Sequence, residues 1–207
     1  MLKVSDIKPA EGVHTVGRES VAALAAITAD AFRDDPFNSW VFGGFEPMHR
    51  TFVNLARHIY VPSGFCQILK EDGEDLAAAM WLLPGDSPDA NLWGMLKTYW
   101  GLFASGGTAA LMRGKAAEDV MARHHPQARH AYLFTVGVTS AARGRGLGRR
   151  LIKPVLDACD STGTMAYLEN SNPANRRFYN GLGFERVKIL HATSDSPPLE
   201  SMQRVPR

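Results

Sequence analysis

Five basic residues and three glycines are interleaved in one short segment of this 207-residue sequence, and no acidic residue interrupts it. They are Arg143, Gly144, Arg145, Gly146, Gly148, Arg149, Arg150 and Lys153. Glycine lets a backbone approach an anion without a Cβ in the way, and arginine offers bidentate donors to phosphate. The segment therefore predicts a phosphate or pyrophosphate site, although most charge runs are ordinary solvated turns.

Two common glycine motifs fit this segment poorly. A P-loop ends in Gly-Lys-Ser/Thr, but here Gly148 is followed by Arg149 and Arg150. A dinucleotide fingerprint reads Gly-x-Gly-x-x-Gly, and the third glycine of this segment comes one position early. The spacing that remains is Arg143-x-x-Gly146-x-Gly148.

The basic segment joins a predicted strand to a predicted helix. Residues 132–138 are β-branched and aromatic, and Gly137 among them predicts a bulge or a close backbone approach. Residues 146–160 carry an apolar face at helical spacing, which predicts a helix, and Pro154 is expected to kink it. Residues 165–169 are predicted to form a second strand. This order predicts a parallel strand pair with a right-handed crossover. The turn then lies at a strand's carboxyl end, where the helix start adds free amides and roughly half a positive charge.

Periodicity and turn residues predict the other elements. The pair Asp72-Gly73 between two apolar runs is typical of a hairpin. The remaining expectations are helices at 18–33, 90–104, 107–124 and 173–182, strands at 65–70, 76–83, 184–190 and 199–205, and a loop at 84–88. The predicted fold class is a mixed α/β fold.

Composition limits the class of protein. Hydrophobic residues make up 45% and charged residues 21%, which is ordinary for a globular domain. No apolar run approaches the roughly 18 residues that span a bilayer, and the first residues lack the apolar stretch of a secretory signal. Cys66 and Cys159 form no CxxC pair, which disfavours a disulfide framework or a zinc cluster. We expect a cytoplasmic protein without a metal or a membrane partner. A net charge of +2, with the basic residues confined to one turn, disfavours nucleic acid.

Two motifs in the second half of the chain resemble those of the GNAT acetyltransferases. The first is Arg143-x-x-Gly146-x-Gly148 after Val136-Gly137-Val138, and the second is the run from Asn172 to Phe184. The resemblance covers roughly residues 125–190. Within the family, the sequence of these motifs is most similar to the puromycin N-acetyltransferase type. It implies the acyl-CoA N-acyltransferase fold, in which two central parallel strands splay apart, here at a bulge near Gly137.

The resemblance also implies acetyl-CoA as co-substrate, with no metal. The residues that it assigns to cofactor binding are Val136, Gly137, Val138, Arg143, Gly144, Arg145, Gly146, Leu147, Gly148, Arg149 and Asn175. In the implied reaction an amine attacks the thioester directly within a ternary complex. Tyr179 is the candidate general acid, and Glu169 is the candidate general base, directly or through water. A backbone N–H near Val136 or Val138 would stabilise the oxyanion.

The domain organisation expected from this resemblance is a single domain over residues 1–207. Residues 1–124 would shape the acceptor site, residues 125–190 would bind acetyl-CoA, and residues 191–207 would add a closing strand. Phe37, Trp40 and Phe42 are candidates for the acceptor pocket. Asp34 and Asp35 either face the acceptor or cap a helix. For His124, His125 and His130 a role in organising the backbone is favoured over a role as base.

The predicted function is N-acetylation of a primary amine on a small molecule. One alternative keeps the fold but acetylates a protein N-terminus or lysine. Another is a non-catalytic regulatory protein that binds acyl-CoA. The sequence leaves open whether the chain forms a homodimer.

Overall fold

The computed structural model describes residues 1–86 and 92–207, and its seven strands form a mixed sheet. The strands are β1 (Val13–Thr15), β2 (Phe65–Glu71), β3 (Glu74–Leu82), β4 (His130–Val138), β5 (Met165–Asn170), β6 (Glu185–Leu190) and β7 (Leu199–Arg204). Their order is β1-β2-β3-β4-β5-β7-β6. Strands β4 and β5 are parallel, and every other neighbouring pair is antiparallel. The mixed α/β class is confirmed.

Helices cover both faces of the sheet. They are α1 (Val21–Ala31), α2 (Pro36–Phe42), α3 (Phe45–Leu55), α4 (Val61–Ser63), α5 (Leu92–His124), α6 (Leu147–Ser161) and α7 (Arg176–Asn180). Helix α6 packs on one face of the sheet, and the first three helices and α5 pack on the other. A π-helical turn joins α3 to α4. None of the helices described is long and apolar enough to cross a bilayer.

Most predicted elements are present, with shifted ends. The hairpin turns at Asp72 and Gly73, whose φ angles of 50° and 83° are the positive values that such a turn requires. The helices predicted at 90–104 and 107–124 correspond to the two parts of α5, which Gly107 (φ 65°, ψ −159°) divides by a kink at the predicted interruption. The end of the predicted loop at 84–88 and the start of the helix predicted at 90 lie outside the described residues.

Residues 36–42 and 45–55 are helical, although their periodicity predicts no element there. A local start signal is nevertheless present, because the Asp35 side chain accepts a hydrogen bond of 2.8 Å from the Asn38 amide and Pro36 occupies the first helical turn. Asp35 therefore caps α2, which was one of the two roles considered for it.

The two parallel strands pair over a short length and then separate. Their register joins His130 to Met165 and ends with Tyr132 opposite Tyr167. Beyond that point β4 pairs with β3 alone. One edge of its C-terminal half is therefore without a strand partner, as the splayed arrangement requires.

A bulge in β4 lies at Phe134, so the position predicted near Gly137 is wrong. Met80 of β3 pairs with Thr135 and Trp81 pairs with Leu133, which leaves Phe134 as the extra residue. An extra residue reverses the faces of the side chains that follow it. As a result Val136 packs on the same side as Leu133, against the core below α6.

Gly137 instead marks a close backbone approach, which was the other possibility for it. A Cβ atom at this position would lie 2.7 Å from the Cβ of Ala31 in α1. Real Cβ contacts are longer than this, so the glycine lets α1 pack directly against β4.

Helix α6 is tied to the sheet by a bidentate ion pair at its C-terminal end. Arg204 of β7 donates to both carboxylate oxygens of Asp160, at 2.7 and 2.6 Å, and to the carbonyl of Leu182 at 2.9 Å. The hydrogen bonds from Arg204 lower the pKa of Asp160. The pair therefore stabilises the fold above the ordinary carboxyl pKa, and this stabilisation is lost as the pH falls through the lower value of the folded state.

We expect Asp160→Ala to lower the free energy of unfolding by about 3 kcal/mol, because Arg204 then keeps a buried charge without its partner. Asp157→Ala is the matched control, since its carboxylate pairs with Lys153 on the exposed face of the same helix. It should cost less than about 1 kcal/mol. Urea unfolding measures both variants, and equal losses would contradict this account of the ion pair.

Candidate functional site

The glycine turn between β4 and α6 adopts a backbone that favours glycine. Gly144 and Gly146 have φ angles of 79° and 77°, and Gly146 is the N-cap residue of α6. A Cβ at either position would meet no atom within 4 Å, so the constraint there is conformational and not steric. The first amides of α6 lack partners within the helix and carry partial positive charge.

A cleft of about 490 Å³ lies below this turn, beside the C-terminal half of β4. The residues predicted to bind the cofactor line it, with one exception: they are Val136, Gly137, Val138, Arg143, Gly144, Gly146, Leu147, Gly148, Arg149 and Asn175. The exception is Arg145. The cleft thus combines a helix N-terminus with a strand edge that lacks a partner.

Four of the five basic residues of the segment separate into two groups, and the fifth, Lys153, pairs with Asp157 on α6. The guanidinium groups of Arg145 and Arg150 both pair with Glu71 at the end of β2, away from the cleft. Arg143 and Arg149 line the cleft, where they donate to the carbonyl groups of Ala31 (3.1 Å) and Gly181 (2.9 Å). Any contact that Arg145 makes with a ligand in the cleft would therefore come from its backbone.

A second cavity of about 320 Å³ is lined by residues of β4 and β5 and of the helices α2, α3 and α5. Its walls are mainly apolar and aromatic, and they include Phe37 and Phe42 as predicted. Trp40 is not among the lining residues; its indole nitrogen lies 3.4 Å from a carboxylate oxygen of Asp195. The cavity and the cleft share four lining residues, which are Phe32, Val136, Asn175 and Tyr179.

Tyr179 lies at this junction and is 8% exposed. Burial, together with the negative charge of Asp35, raises the pKa of the Tyr179 hydroxyl. The group therefore stays protonated through neutral and moderately alkaline pH, which suits a proton donor. The Asp35 carboxylate also accepts a hydrogen bond of 2.7 Å from the Ser171 hydroxyl, which links the start of α2 to the segment after β5.

Glu169 is a buried carboxylate in the wall of the cavity, with a side chain only 4% exposed. Its Oε1 atom accepts no hydrogen bond from any residue that the structure describes. Burial and the negative charge of Glu169 together raise the pKa of the neighbouring phenols of Tyr60 and Tyr132. A buried carboxylate oxygen without a donor is available to a ligand that carries an N–H group.

The three histidines considered in the sequence have different surroundings. Nδ1 of His124 and Nδ1 of His130 each lie within hydrogen-bond distance of a backbone carbonyl, which agrees with the organising role expected for them. His125 differs, because its Nδ1 lies 3.8 Å from Oε1 of Glu169. This neighbour could not be predicted from the sequence, because a loop position gives no sign of a contact with a distant strand.

Comparisons with known proteins agree with this geometry. The model of the acetyltransferase (GNAT) family matches residues 28–184. An uncharacterized N-acetyltransferase of Schizosaccharomyces pombe is 30% identical over 199 residues, covering 88% of this chain and 78% of its own. N-alpha-acetyltransferase RimI of Mycobacterium tuberculosis is 41% identical over 59 residues, or 28% of this chain and 36% of that protein. A Corynebacterium glutamicum structure described as histone acetyltransferase HPA2 and related acetyltransferase has a TM-score of 0.70 at 24% identity, covering 96% of this chain and 97% of its own.

Proposed function

Because the chain belongs to the GNAT family of acetyltransferases, whose members use acetyl-CoA, we propose that it acetylates a primary amine of a small molecule. The observation that carries this proposal is the junction at which the cleft and the cavity share Phe32, Val136, Asn175 and Tyr179. Ligands in the two spaces would meet at these residues. Bringing both substrates together supplies proximity without a covalent enzyme intermediate.

The cleft fits the cofactor because open space and free donors coincide there. The pyrophosphate would be held by amides from Gly144 to Arg149 and by the guanidinium groups of Arg143 and Arg149. The unpartnered edge of β4 at Val136 and Val138 would hold the pantetheine arm. Acetyl-CoA supplies a thioester carbonyl when it is bound. The greater similarity to the puromycin N-acetyltransferase type than to other members of the family stays a prediction.

We assign the proton transfers to two residues that line the same cavity. Glu169 accepts the proton of the attacking amine, directly or through water, at its unpaired Oε1 atom. Tyr179 donates a proton to the departing thiolate, and its raised pKa keeps it ready to do so. A backbone N–H of Val136 or Val138 stabilises the oxyanion.

The lining of the cavity supports a small acceptor with an apolar body. Two carboxylates, Glu118 and Glu169, are among the described residues that line it, and those residues include no lysine, arginine or histidine. Such a wall favours a cationic or neutral amine over an anionic ligand. Aromatic rings around it suit an aryl or alkyl group on that amine.

Acetylation of a protein N-terminus is the second candidate function. It is favoured by the name of the mycobacterial relative, which is an N-alpha-acetyltransferase and resembles part of this chain. A peptide needs an open groove, however, whereas this cavity is bounded by α2, α3 and α5.

Both cysteines are buried and unpaired, in keeping with a reducing compartment, and we place the enzyme in the cytoplasm.

The test is an acceptor screen with purified protein and acetyl-CoA, in which free thiol is detected and the product is identified by mass. Arylalkylamines, aliphatic amines, puromycin-like and aminoglycoside compounds and short peptides form the panel. We expect the highest kcat/KM for a small amine with an apolar body. Highest activity on peptides would establish the second candidate instead.

A further inference from the structure

Three ionisable side chains lie in a row between the acceptor cavity and the surface. Oε1 of Glu169 lies 3.8 Å from Nδ1 of His125, and Nε2 of His125 lies 3.0 Å from Nε2 of His130. The His125 ring is held edge-on between Tyr132 and Tyr167, at centroid distances of 4.9 and 5.2 Å. The side chain of His125 is 34% exposed, so the row reaches solvent.

Hydrogen-bond direction fixes where the protons of this row lie. Nδ1 of His130 is 2.7 Å from the carbonyl oxygen of Ala128, and a carbonyl only accepts, so this nitrogen carries a proton. Neutral His130 then offers Nε2 as an acceptor to Nε2–H of His125. Neutral His125 is left with a bare Nδ1, the nitrogen that lies 3.8 Å from Oε1 of Glu169.

The surrounding groups leave few sites for a proton near neutral pH. Burial raises the pKa of Tyr60, Tyr132 and Tyr167, and the negative charge of Glu169 raises it further, so these phenols stay neutral. Burial lowers the pKa of His130, which favours its neutral form. Nζ of Lys188 in β6 lies 3.1 Å from Nε2 of His124. We therefore assign the mobile proton to Glu169 and His125, whose Oε1 and Nδ1 atoms lie 3.8 Å apart.

We propose that His125 accepts the proton that Glu169 has taken from the amine. His130 is then the positioning residue that fixes the tautomer of His125. This inference rests on the proposed function. The amine N–H bond breaks as an O–H bond forms on Glu169, and the proton then passes to Nδ1 of His125. The imidazolium then loses the Nδ1 proton to solvent water, which the partly exposed ring can contact, and so returns to the Nε2–H tautomer that His130 favours. The separation of 3.8 Å exceeds a hydrogen bond by about 1 Å, so the transfer requires the two side chains to approach each other by that distance, or a water that contacts both atoms from one side.

The tautomers can be tested without any substrate. In protein labelled with 15N-histidine, ring spectra at about pH 8, where imidazole is neutral, should show His130 protonated at Nδ1 and His125 protonated at Nε2. His130→Phe should abolish the preference of His125 for one tautomer. A His125 ring protonated at Nδ1 in the unaltered protein would overturn the inference.

Kinetics with the best amine of the acceptor screen provide the second test. We expect His125→Ala to lower kcat about tenfold, less than the loss of a direct acid or base, and free imidazole in the buffer to restore much of it. His125→Gln should show the same loss if the alanine variant folds poorly. His124→Ala is the matched control, and it should keep the kcat of the unaltered protein with or without imidazole. Failure of imidazole to raise the kcat of His125→Ala overturns the inference.

The proposed function and this inference fail in distinguishable ways. If no amine is acetylated, or if Glu169→Gln is fully active, the proposed function or its base is wrong. If Glu169→Gln is impaired and His125→Ala is fully active, the relay alone is wrong. Imidazole should not rescue Glu169→Gln, because the missing base lies inside the cavity.

Discussion

Glu169→Gln is expected to lower kcat by about 10²–10⁴-fold, the range for loss of a general base. Glutamine keeps the size of the side chain, so the wall of the cavity keeps its shape. It removes a buried carboxylate oxygen, Oε1, to which none of the described residues donates a hydrogen bond, from a side chain that lines the cavity. Binding of acetyl-CoA should be unaffected, because Glu169 lines the cavity and not the cleft.

The measurement is kcat as a function of pH for the best amine of the acceptor screen. The acidic limb of the profile, which reports protonation of the base, should move or flatten in Glu169→Gln. Tyr179→Phe should lower kcat and leave that limb in place. Glu118→Gln is the matched carboxylate of the same cavity, and it should raise the KM of the amine more than it lowers kcat. An unaltered profile in Glu169→Gln would remove this residue from the mechanism.

Gly146→Val is expected to weaken the binding of coenzyme A by about 100-fold or more. A β-branched residue at a φ angle of 77° is strained by about 1–3 kcal/mol, and the turn is expected to rearrange to relieve it. The change falls on the N-cap of α6, so the first amides of the helix lose their common direction. Those amides are the donors that we assign to the pyrophosphate.

Gly163→Val separates this effect from loss of stability. Gly163 follows the other end of α6, has a φ angle of 63°, and also has no atom within 4 Å of a Cβ. Both variants should therefore unfold at lower urea concentrations, but calorimetric titration should find the normal affinity for coenzyme A in Gly163→Val alone. Equal affinities in the two variants would contradict the role given to the turn.

Interactions between residues close in the chain could be predicted from the sequence alone. The glycines of the turn, the Asp72-Gly73 hairpin and the apolar face of α6 depend on local backbone geometry and periodicity, and the structure has all three. The start of α2 at Asp35 and Pro36 is equally local, so the same rules could have found it. The motifs around Arg143 and Asn175 pointed to the family for the same reason, because each is a short continuous segment.

Other features of the fold and of the site depend on strand register and on contacts between residues distant in the chain. Only the tertiary structure determines them. The separation of β4 from β5 after Tyr132, and the bulge at Phe134, follow from how three strands align, and no single segment encodes that alignment. Arg145 turns away from the cleft because Glu71, distant in the chain, neutralises it. His125 acquires a partner because its loop folds over the end of β5 that carries Glu169. The physical reason is common to these cases: a charge or lone pair acts over a few ångströms of space, whatever its distance along the chain.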